Sequence, residues 1–142
     1  MEKKNYRGFR DLIVYQKSYK AALEIFELTK LFPKEEQYSL TDQIRRSSRS
    51  VPANIAEGWR KRKYTKMFVS KLIDCSGEAS ETEVWLDFSK DLKYISEEKY
   101  LYFIELYEEK NKMLFSMINT PEKFSNWFII PAYSRLLTAY SV

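Results

Sequence analysis

The chain has 142 residues and a net charge of +4, and 44% of its residues are hydrophobic, which suits one folded domain and not a disordered chain. Only 3 Gly and 4 Pro exclude a turn-rich β protein and favour long helices. The absence of histidine excludes Ser-His and Cys-His catalysis. A single cysteine, Cys75, excludes an internal disulfide and fits a reducing compartment. Apolar runs fall far short of the ~20 residues of a membrane helix, so we expect a soluble cytoplasmic protein.

The N-terminal segment is predicted to be a basic arm over residues 1–10, because it has no apolar period and contains Lys3, Lys4, Arg7 and Arg10. A first helix is predicted from Asp11, as its N-cap, to Phe32, just before Pro33. Its apolar residues form two opposite sets, which are Leu12, Tyr15, Tyr19, Ala22 and Phe26 on one side and Val14, Ala21, Ile25 and Leu28 on the other. One stripe is enough for a small bundle, so the second predicts contact with another helix or another subunit.

The second predicted helix runs from about Tyr38 to the region of Gly58. Its buried stripe follows steps of three and four residues and comprises Leu40, Ile44, Ser47, Val51, Ile55 and Trp59. Pro52 has no N–H, so the carbonyl of Ser48 loses its helical partner and a kink is predicted. Asn54 and the neighbouring serines are predicted to bond the freed backbone, and Gly58 is predicted to allow tight packing or an exit turn.

The third predicted helix runs from about Tyr64 to Tyr94, and its bundle seam comprises Phe68, Leu72, Cys75, Ala79, Thr82 and Leu86. Gly77 costs ~1 kcal/mol relative to Ala in a helix, so we expect the small residues around it to admit a close neighbouring helix. A fourth helix is predicted from a Ser96 cap to a stop before Pro121. The predicted fold is therefore an all-α antiparallel up-down four-helix bundle over residues 11–120.

A C-terminal aromatic tail over residues 121–142 follows the predicted bundle. Its strongly apolar residues include Trp127, Phe128, Ile129 and Ile130, followed by helix-spaced Ala132, Tyr133, Leu136, Leu137 and Tyr140. Such a segment would expose a large apolar patch if it were free in water. We therefore expect the tail to pack on the bundle or on a neighbouring subunit.

Positive charge is concentrated between residues 45 and 63. Seven cations against the single acid Glu57 give +6 there, whereas the whole chain is +4, so the remainder sums to −2. The cations are Arg45, Arg46, Arg49, Arg60, Lys61, Arg62 and Lys63. Such asymmetry favours an anionic partner, and contacts with a phosphate backbone are the functional hypothesis. The alternative is a solvated basic face, and Trp59 and Tyr64 beside it are either base-stacking residues or core anchors.

Four segments resemble a known family: SVPANIAEG at 50–58, FRDLIVYQK at 9–17, IRRSS at 44–48 and GEASETEVWL at 77–86. The chain resembles, over roughly residues 9–118, the bacterial four-helix bundle proteins known as intervening-sequence proteins, which are encoded inside large-subunit ribosomal RNA genes. The resemblance implies an up-down bundle. It also implies kinship with the accessory variability protein of diversity-generating retroelements, a ring-shaped homopentamer whose basic surface engages reverse transcriptase and nucleic acid.

The family motif positions Pro52, Asn54, Glu57 and Gly58 are interpreted as structural. Glu57 is expected to pair with an arginine across a helix or subunit boundary. Glu57 with Glu78, Glu81 or Glu83 could form a carboxylate metal site, but glutamate-rich helix faces are usually solvated or paired with Lys and Arg, and this second interpretation is favoured. Cys75 is interpreted as a small buried hydrophobe.

The function predicted from these features is that of a non-enzymatic bundle, with no catalytic residue, metal or cofactor. It self-associates, as a pentamer by resemblance, and presents its basic surface to RNA or to a nucleic-acid-handling protein. The basic arm at residues 1–10 supports that surface. The alternative is a pure protein–protein interaction scaffold without nucleic-acid affinity, and an enzyme is the least favoured class.

Overall fold

A computed structural model describes residues 6–124, which form four α-helices. They are α1 (Ile13–Thr29), α2 (Leu40–Arg60), α3 (Thr65–Asp91) and α4 (Glu97–Asn119), with short 3-10 helices at Phe9–Asp11, Lys34–Glu36 and Pro121–Lys123. Each helix packs chiefly against its neighbours in sequence, so the predicted all-α antiparallel fold is confirmed. The start of the basic arm and the tail beyond Phe124 lie outside the described residues, and the predictions made for them stay predictions.

The predicted stripe of α2 and the predicted seam of α3 form the core of the bundle. In α2 the exposed fraction runs from 0% at Ile44 to 7% at Leu40. The α3 seam, from Phe68 to Leu86, is fully buried. A buried hydrogen bond of 2.8 Å joins the hydroxyls of Ser47 and Thr82 across the two helices, which satisfies two polar groups inside the core.

The predicted N-cap of the first helix is wrong by one residue, and its predicted end is wrong by three. Leu12, in extended backbone, precedes the first turn of α1, and Asp11 lies in the preceding 3-10 turn, where its Oδ2 accepts a hydrogen bond from the Arg7 N–H at 2.7 Å. An N-cap side chain stabilises only the turn that follows it directly. The helix ends at Thr29, and isolated turns continue the chain to Phe32.

The two apolar sets of α1 have different roles. Val14, Ala21, Ile25 and Leu28 are buried in the core. Of the other set, Leu12 and Ala22 are also buried, Tyr15 and Phe26 are half-buried, and Tyr19 is 51% exposed. Phe26 lies under arginines of α2, so part of the second apolar set is used inside the bundle.

Pro52 is buried within α2, which continues as one helix to Arg60. The Nδ2 of Asn54 donates to the carbonyl of Ser50 at 2.9 Å, so the prediction that Asn54 bonds the carbonyl freed by Pro52 is wrong. A helical side chain reaches the backbone one turn behind it, whereas the carbonyl of Ser48 is six residues back. Asn54 therefore braces the turn that contains the proline.

Gly58 and Gly77 differ although both were predicted to allow close packing. A Cβ built on Gly58 would lie 3.1 Å from Lys71 Cβ and 3.6 Å from Phe68 Cδ1, so Gly58 lets α2 approach α3, and it lies inside the helix rather than at an exit turn. A Cβ built on Gly77 in the same way has no atom of residues 6–124 within 4 Å. The prediction for Gly77 is therefore wrong within the described bundle.

The third and fourth helices meet at a sharp turn. α3 ends at Asp91, three residues before the predicted end, and Lys93 has φ of 64°, a left-handed conformation that terminates helices. The predicted Ser96 cap is confirmed, because its Oγ accepts a hydrogen bond from the Lys99 N–H at 3.1 Å. Periodicity did not predict that Lys110 of α4 is 1% exposed; burial lowers its pKa to about 8.

Candidate nucleic-acid interface

Arg45 and Arg49 lie on the side of α2 that faces the end of α1. The Nε of Arg45 donates to Thr29 Oγ1 at 2.7 Å, and its guanidinium carbon lies 4.5 Å from the centre of the Phe26 ring. Arg49 approaches the same ring at 5.7 Å. The last turn of α1 contains no basic residue of its own, so Arg45 supplies the cation that a helix C-terminus favours.

Arg46 points towards α3 and is paired there. Its Nη2 lies 2.6 Å from Glu81 Oε1 and its Nη1 lies 3.7 Å from Glu78 Oε1. The hydrogen bond to Glu81 raises the pKa of Arg46. Glu81 also accepts from the indole N–H of Trp85 at 3.2 Å, so its carboxylate is shared between two helices. The charge of Arg46 is therefore balanced inside the molecule.

Arg45, Arg46 and Arg49, which we term the mid-helix cluster, line one shallow open depression of about 500 Å³ with Asp42, Ser50 and Ala53. The structure thus brings three of the seven predicted cations together. Asp42 in the depression and the two glutamates on Arg46 offset their charge.

The other four predicted cations lie at the end of α2 and in its connection to α3. The guanidinium carbon of Arg62 lies 3.9 Å from the centre of the Trp59 ring, and its Nη1 donates to the Trp59 carbonyl at 2.8 Å. Trp59 is only 5% exposed, which identifies it as a core anchor. Tyr64 is 60% exposed, and Lys63 Nζ lies 5.8 Å from its ring centre.

Aromatic contacts bring both ends of the described chain to this connection. The ring of Tyr6 lies 5.7 Å from that of Trp59, in a T-shaped arrangement, and 5.9 Å from that of Phe124, in a stacked one. Phe124 in turn lies 6.5 Å from Phe68 near the start of α3. Arg7 and Lys123 adjoin Tyr6 and Phe124 in sequence. Basic residues of these two segments and of the α2–α3 connection therefore lie at one end of the bundle.

We term this group the basic end. Its members are Arg7, Arg60, Lys61, Arg62, Lys63, Lys66 and Lys123. Lys66 and Lys123 were absent from the predicted site. Lys66 lies in the first turn of α3 and was already adjacent to the basic stretch in sequence. Lys123 depends on the ring contact of Phe124, for which no periodic pattern gave a signal.

The family motif position Glu57 is paired, but not with an arginine. Its Oε2 lies 2.8 Å from Lys71 Nζ on α3, and this hydrogen bond lowers the pKa of Glu57. The same Nζ lies 3.5 Å from Asn54 Oδ1. The expected arginine partner is therefore wrong, because α3 places a lysine opposite this turn of α2. Together with Gly58, these contacts hold α2 against α3.

Cys75 is fully buried, and burial raises the pKa of its thiol to about 12, so its interpretation as a small core residue is confirmed. Within residues 6–124 no group of three or more metal-binding side chains is close enough to hold an ion. In the same range, no helix combines the length and apolar character that a membrane crossing requires.

Four antiparallel helices whose second member carries a dense basic stretch define a small helical-bundle protein. The family model for the 23S rRNA-intervening sequence protein matches residues 10–116, and the chain belongs to this family. It is a family of small helical proteins and not an enzyme family. No curated protein matches the chain.

A solved structure supports the same assignment. The chain is 34% identical to a protein of unknown function from the S23 ribosomal protein family of Bacteroides thetaiotaomicron, with a TM-score of 0.69. The match covers 76% of this chain and 96% of that protein.

Proposed function

We propose that this chain is a non-enzymatic, self-associating bundle that binds RNA through the basic end. The observation that supports this proposal best is the convergence of three segments at Tyr6, Trp59 and Phe124. Folding brings Arg7 and Lys123 to the same end of the bundle as the connection, and Glu122 comes with them. Glu57, the acid that precedes Arg60 by three residues, is paired with Lys71 and also interacts electrostatically with Lys61.

The chemistry of the basic end suits a polyanion. Lysine and arginine contacts to phosphates release counterions, which gives binding that weakens steeply with salt and depends little on sequence. Exposed Tyr64 lies between Lys63 and Lys66 and offers a ring on which an unpaired base stacks. We therefore favour single-stranded or looped RNA over a regular duplex, whose bases are not available for stacking.

Self-association would place several basic ends side by side and strengthen binding through multivalency. Exposed apolar residues of α1 provide area for such contacts, because Leu23 is 53% exposed and Ile13 is 43% exposed. The pentamer implied by the family resemblance is the state that we propose. The same exposed side chains also suit the alternative, a protein-interaction scaffold that has no affinity for RNA.

The proposal is tested by titrating a fluorescent single-stranded RNA with the full chain over a range of salt concentrations. One variant carries glutamine at the four exposed or half-exposed cations Arg60, Lys61, Lys63 and Lys66. Arg62 is kept because it packs on Trp59. We expect affinity to fall at least about tenfold at moderate salt, and the salt slope to decrease by ~0.7 per lost phosphate contact.

A matched control removes the same charge elsewhere, with glutamine at exposed Lys20, Lys34, Lys99 and Lys112. We expect it to bind within about twofold of the unchanged chain, because these residues lie away from the basic end. Equal losses in both variants would show that only net charge matters. If light scattering shows an assembled protein that does not bind RNA at low salt, the scaffold is the correct function.

A further inference from the structure

The outward face of α3 carries a continuous uncharged stripe, which we term the outer α3 stripe. Its members are Ile73, Gly77, Ser80, Val84 and Phe88. Three of them are large and apolar, with exposed fractions of 53% for Ile73, 46% for Val84 and 50% for Phe88. The stripe extends for ~22 Å at 1.5 Å per residue. A helix in a bundle needs one apolar face, and α3 has a second one opposite its buried seam.

The small residues at the centre of the stripe have no packing role within residues 6–124. Glycine in a helix costs ~1 kcal/mol relative to alanine. A Cβ on Gly77 would stand in open space, with no atom of residues 6–124 within 4 Å. Ser80, one turn further along, is also exposed. The centre of the stripe is therefore shaped to let another segment approach the α3 backbone.

At its C-terminal end the stripe leads into an apolar depression of about 380 Å³ between the start of α2 and the end of α3. Phe88 belongs to both features, and Tyr38, Leu40, Trp85 and Leu92 also line the depression. The exposed apolar surface thus continues from Ile73 to the far end of α3. A single elongated segment would cover it better than a compact domain.

The C-terminal segment 125–142 has the composition that such a surface needs. It contains one charged side chain, Arg135, among 18 residues. Its apolar residues include Trp127, Phe128, Ile129, Ile130, Leu136 and Leu137. Exposed Asp74 beside the stripe offers the single cation an anionic partner.

The segment begins near the start of α3, on the side of its buried seam, and is long enough to reach the outer face. The ring of Phe124, the residue before it, lies 6.5 Å from that of Phe68 near the start of α3. From Phe68 to Phe88 the helix rises ~30 Å, whereas 18 residues span ~27 Å as a helix and ~60 Å when extended. A largely extended segment that starts at Phe124 can therefore pass from the seam side of α3 to its outer face and still follow the stripe, whereas one continuous helix is too short.

We propose that residues 125–142 pack along the outer α3 stripe of their own chain, over Gly77, as an additional element of the bundle. This packing buries Ile73, Val84 and Phe88 and uses the space at Gly77. It does not depend on RNA binding. The kind of partner is thus a segment of this chain rather than a second copy.

Photocross-linking of the full chain tests the location. A benzophenone amino acid replaces exposed Ser80, and a control places it at Leu23, 53% exposed on α1. Equal amounts of light and heavy isotope-labelled protein are mixed before irradiation. We expect cross-links from position 80 to peptides of 125–142 within the same isotope, and none to that segment from position 23. Mixed-isotope links would assign the stripe to a neighbouring copy and overturn the proposal, as would the absence of links to 125–142.

Limited proteolysis with chymotrypsin provides a second test. In the Ile73→Glu, Val84→Glu variant we expect cleavage within 125–142 to become at least about tenfold faster, because charged side chains disfavour an apolar cover. The control variant Leu31→Glu, Leu101→Glu changes two exposed apolar residues outside α3, 69% and 52% exposed, and should leave the rate unchanged. Circular dichroism verifies that both variants fold. Equal cleavage rates in all three proteins would refute the proposed packing.

Discussion

The two halves of the basic stretch differ in what surrounds their charges. In the mid-helix cluster, Arg45 is bonded to Thr29, Arg46 to Glu81, and Arg49 covers Phe26. At the basic end, the ring contacts of Tyr6 with Trp59 and Phe124 bring further cations to the same place. One half thus connects α1, α2 and α3, whereas the other gathers basic residues from three segments at one end of the bundle.

This difference shows why a count of cations in sequence is a poor guide to a polyanion site. Arginine packs its planar guanidinium on rings and pairs with carboxylates, so a cluster of arginines can be a structural device. A site requires charge that the fold does not balance. The predictions below test whether the two halves are as distinct as their contacts indicate.

The largest effect is expected for Trp59→Ala. Trp59 is 5% exposed and contacts both Tyr6 and Arg62, so its loss leaves a cavity and should reduce the free energy of unfolding by about 3–5 kcal/mol. The control Tyr64→Ala removes an aromatic residue that is 60% exposed and should change stability by less than about 0.5 kcal/mol. Urea unfolding measures both. Equal destabilisation would show that Trp59 does not organise the basic end.

The parts of the fold that could be predicted from sequence are those set by helical period. Ile44 and Val51 in α2 and Leu72 in α3 are fully buried as predicted, because a step of three or four residues fixes the face on which a side chain lies. Helix ends depend on single local interactions. Asp11 failed as an N-cap because the chain between it and Ile13 is extended at Leu12.

The candidate site was predictable only in part, because charge pairing is decided by tertiary contacts. Arg46 and Glu81 are 35 residues apart, and no pattern in either helix links them. Lys123 joins the basic end through Phe124, a contact between segments at opposite ends of the described chain. Lys110 is buried by tertiary packing, and its nitrogen donates to the Leu106 carbonyl at 2.8 Å, neither of which a hydropathy pattern reveals.

An intermediate effect is expected for Arg45→Met, which keeps most of the aliphatic stem. The variant loses the 2.7 Å hydrogen bond to Thr29 and the contact with Phe26, and the free energy of unfolding should fall by about 1–2 kcal/mol. RNA affinity should change less than about twofold, since this charge serves the structure. The control is Arg49→Met. The 2.7 Å hydrogen bond to Thr29 belongs to Arg45, so replacing Arg49 should reduce the free energy of unfolding by less. Unchanged stability with a tenfold loss of affinity would place RNA on the mid-helix cluster instead.

The smallest effect is expected for Arg46→Gln, and it should depend on pH. Arg46 is 49% exposed, so solvent screening limits its contribution to about 0.5–1 kcal/mol. Desolvation raises the pKa of Glu78 above its ordinary value of 4.5, and Arg46 opposes that rise. A folded carboxyl with a raised pKa binds more protons than the unfolded one, so stability falls as pH rises from about 4.5 through the folded pKa.

Without Arg46 the pKa of Glu78 should rise further, so the difference in stability between Arg46→Gln and the unchanged chain should be near zero at acidic pH and grow towards neutral pH. Urea unfolding across that range measures this difference, and nuclear magnetic resonance titration of Glu78 locates the pKa. Adding Glu78→Gln to both proteins removes this titrating group and should reduce the dependence on pH. If the stability difference between Arg46→Gln and the unchanged chain is the same at all pH values, Arg46 acts through packing of its aliphatic stem. The charge of Arg46 would then remain available to RNA.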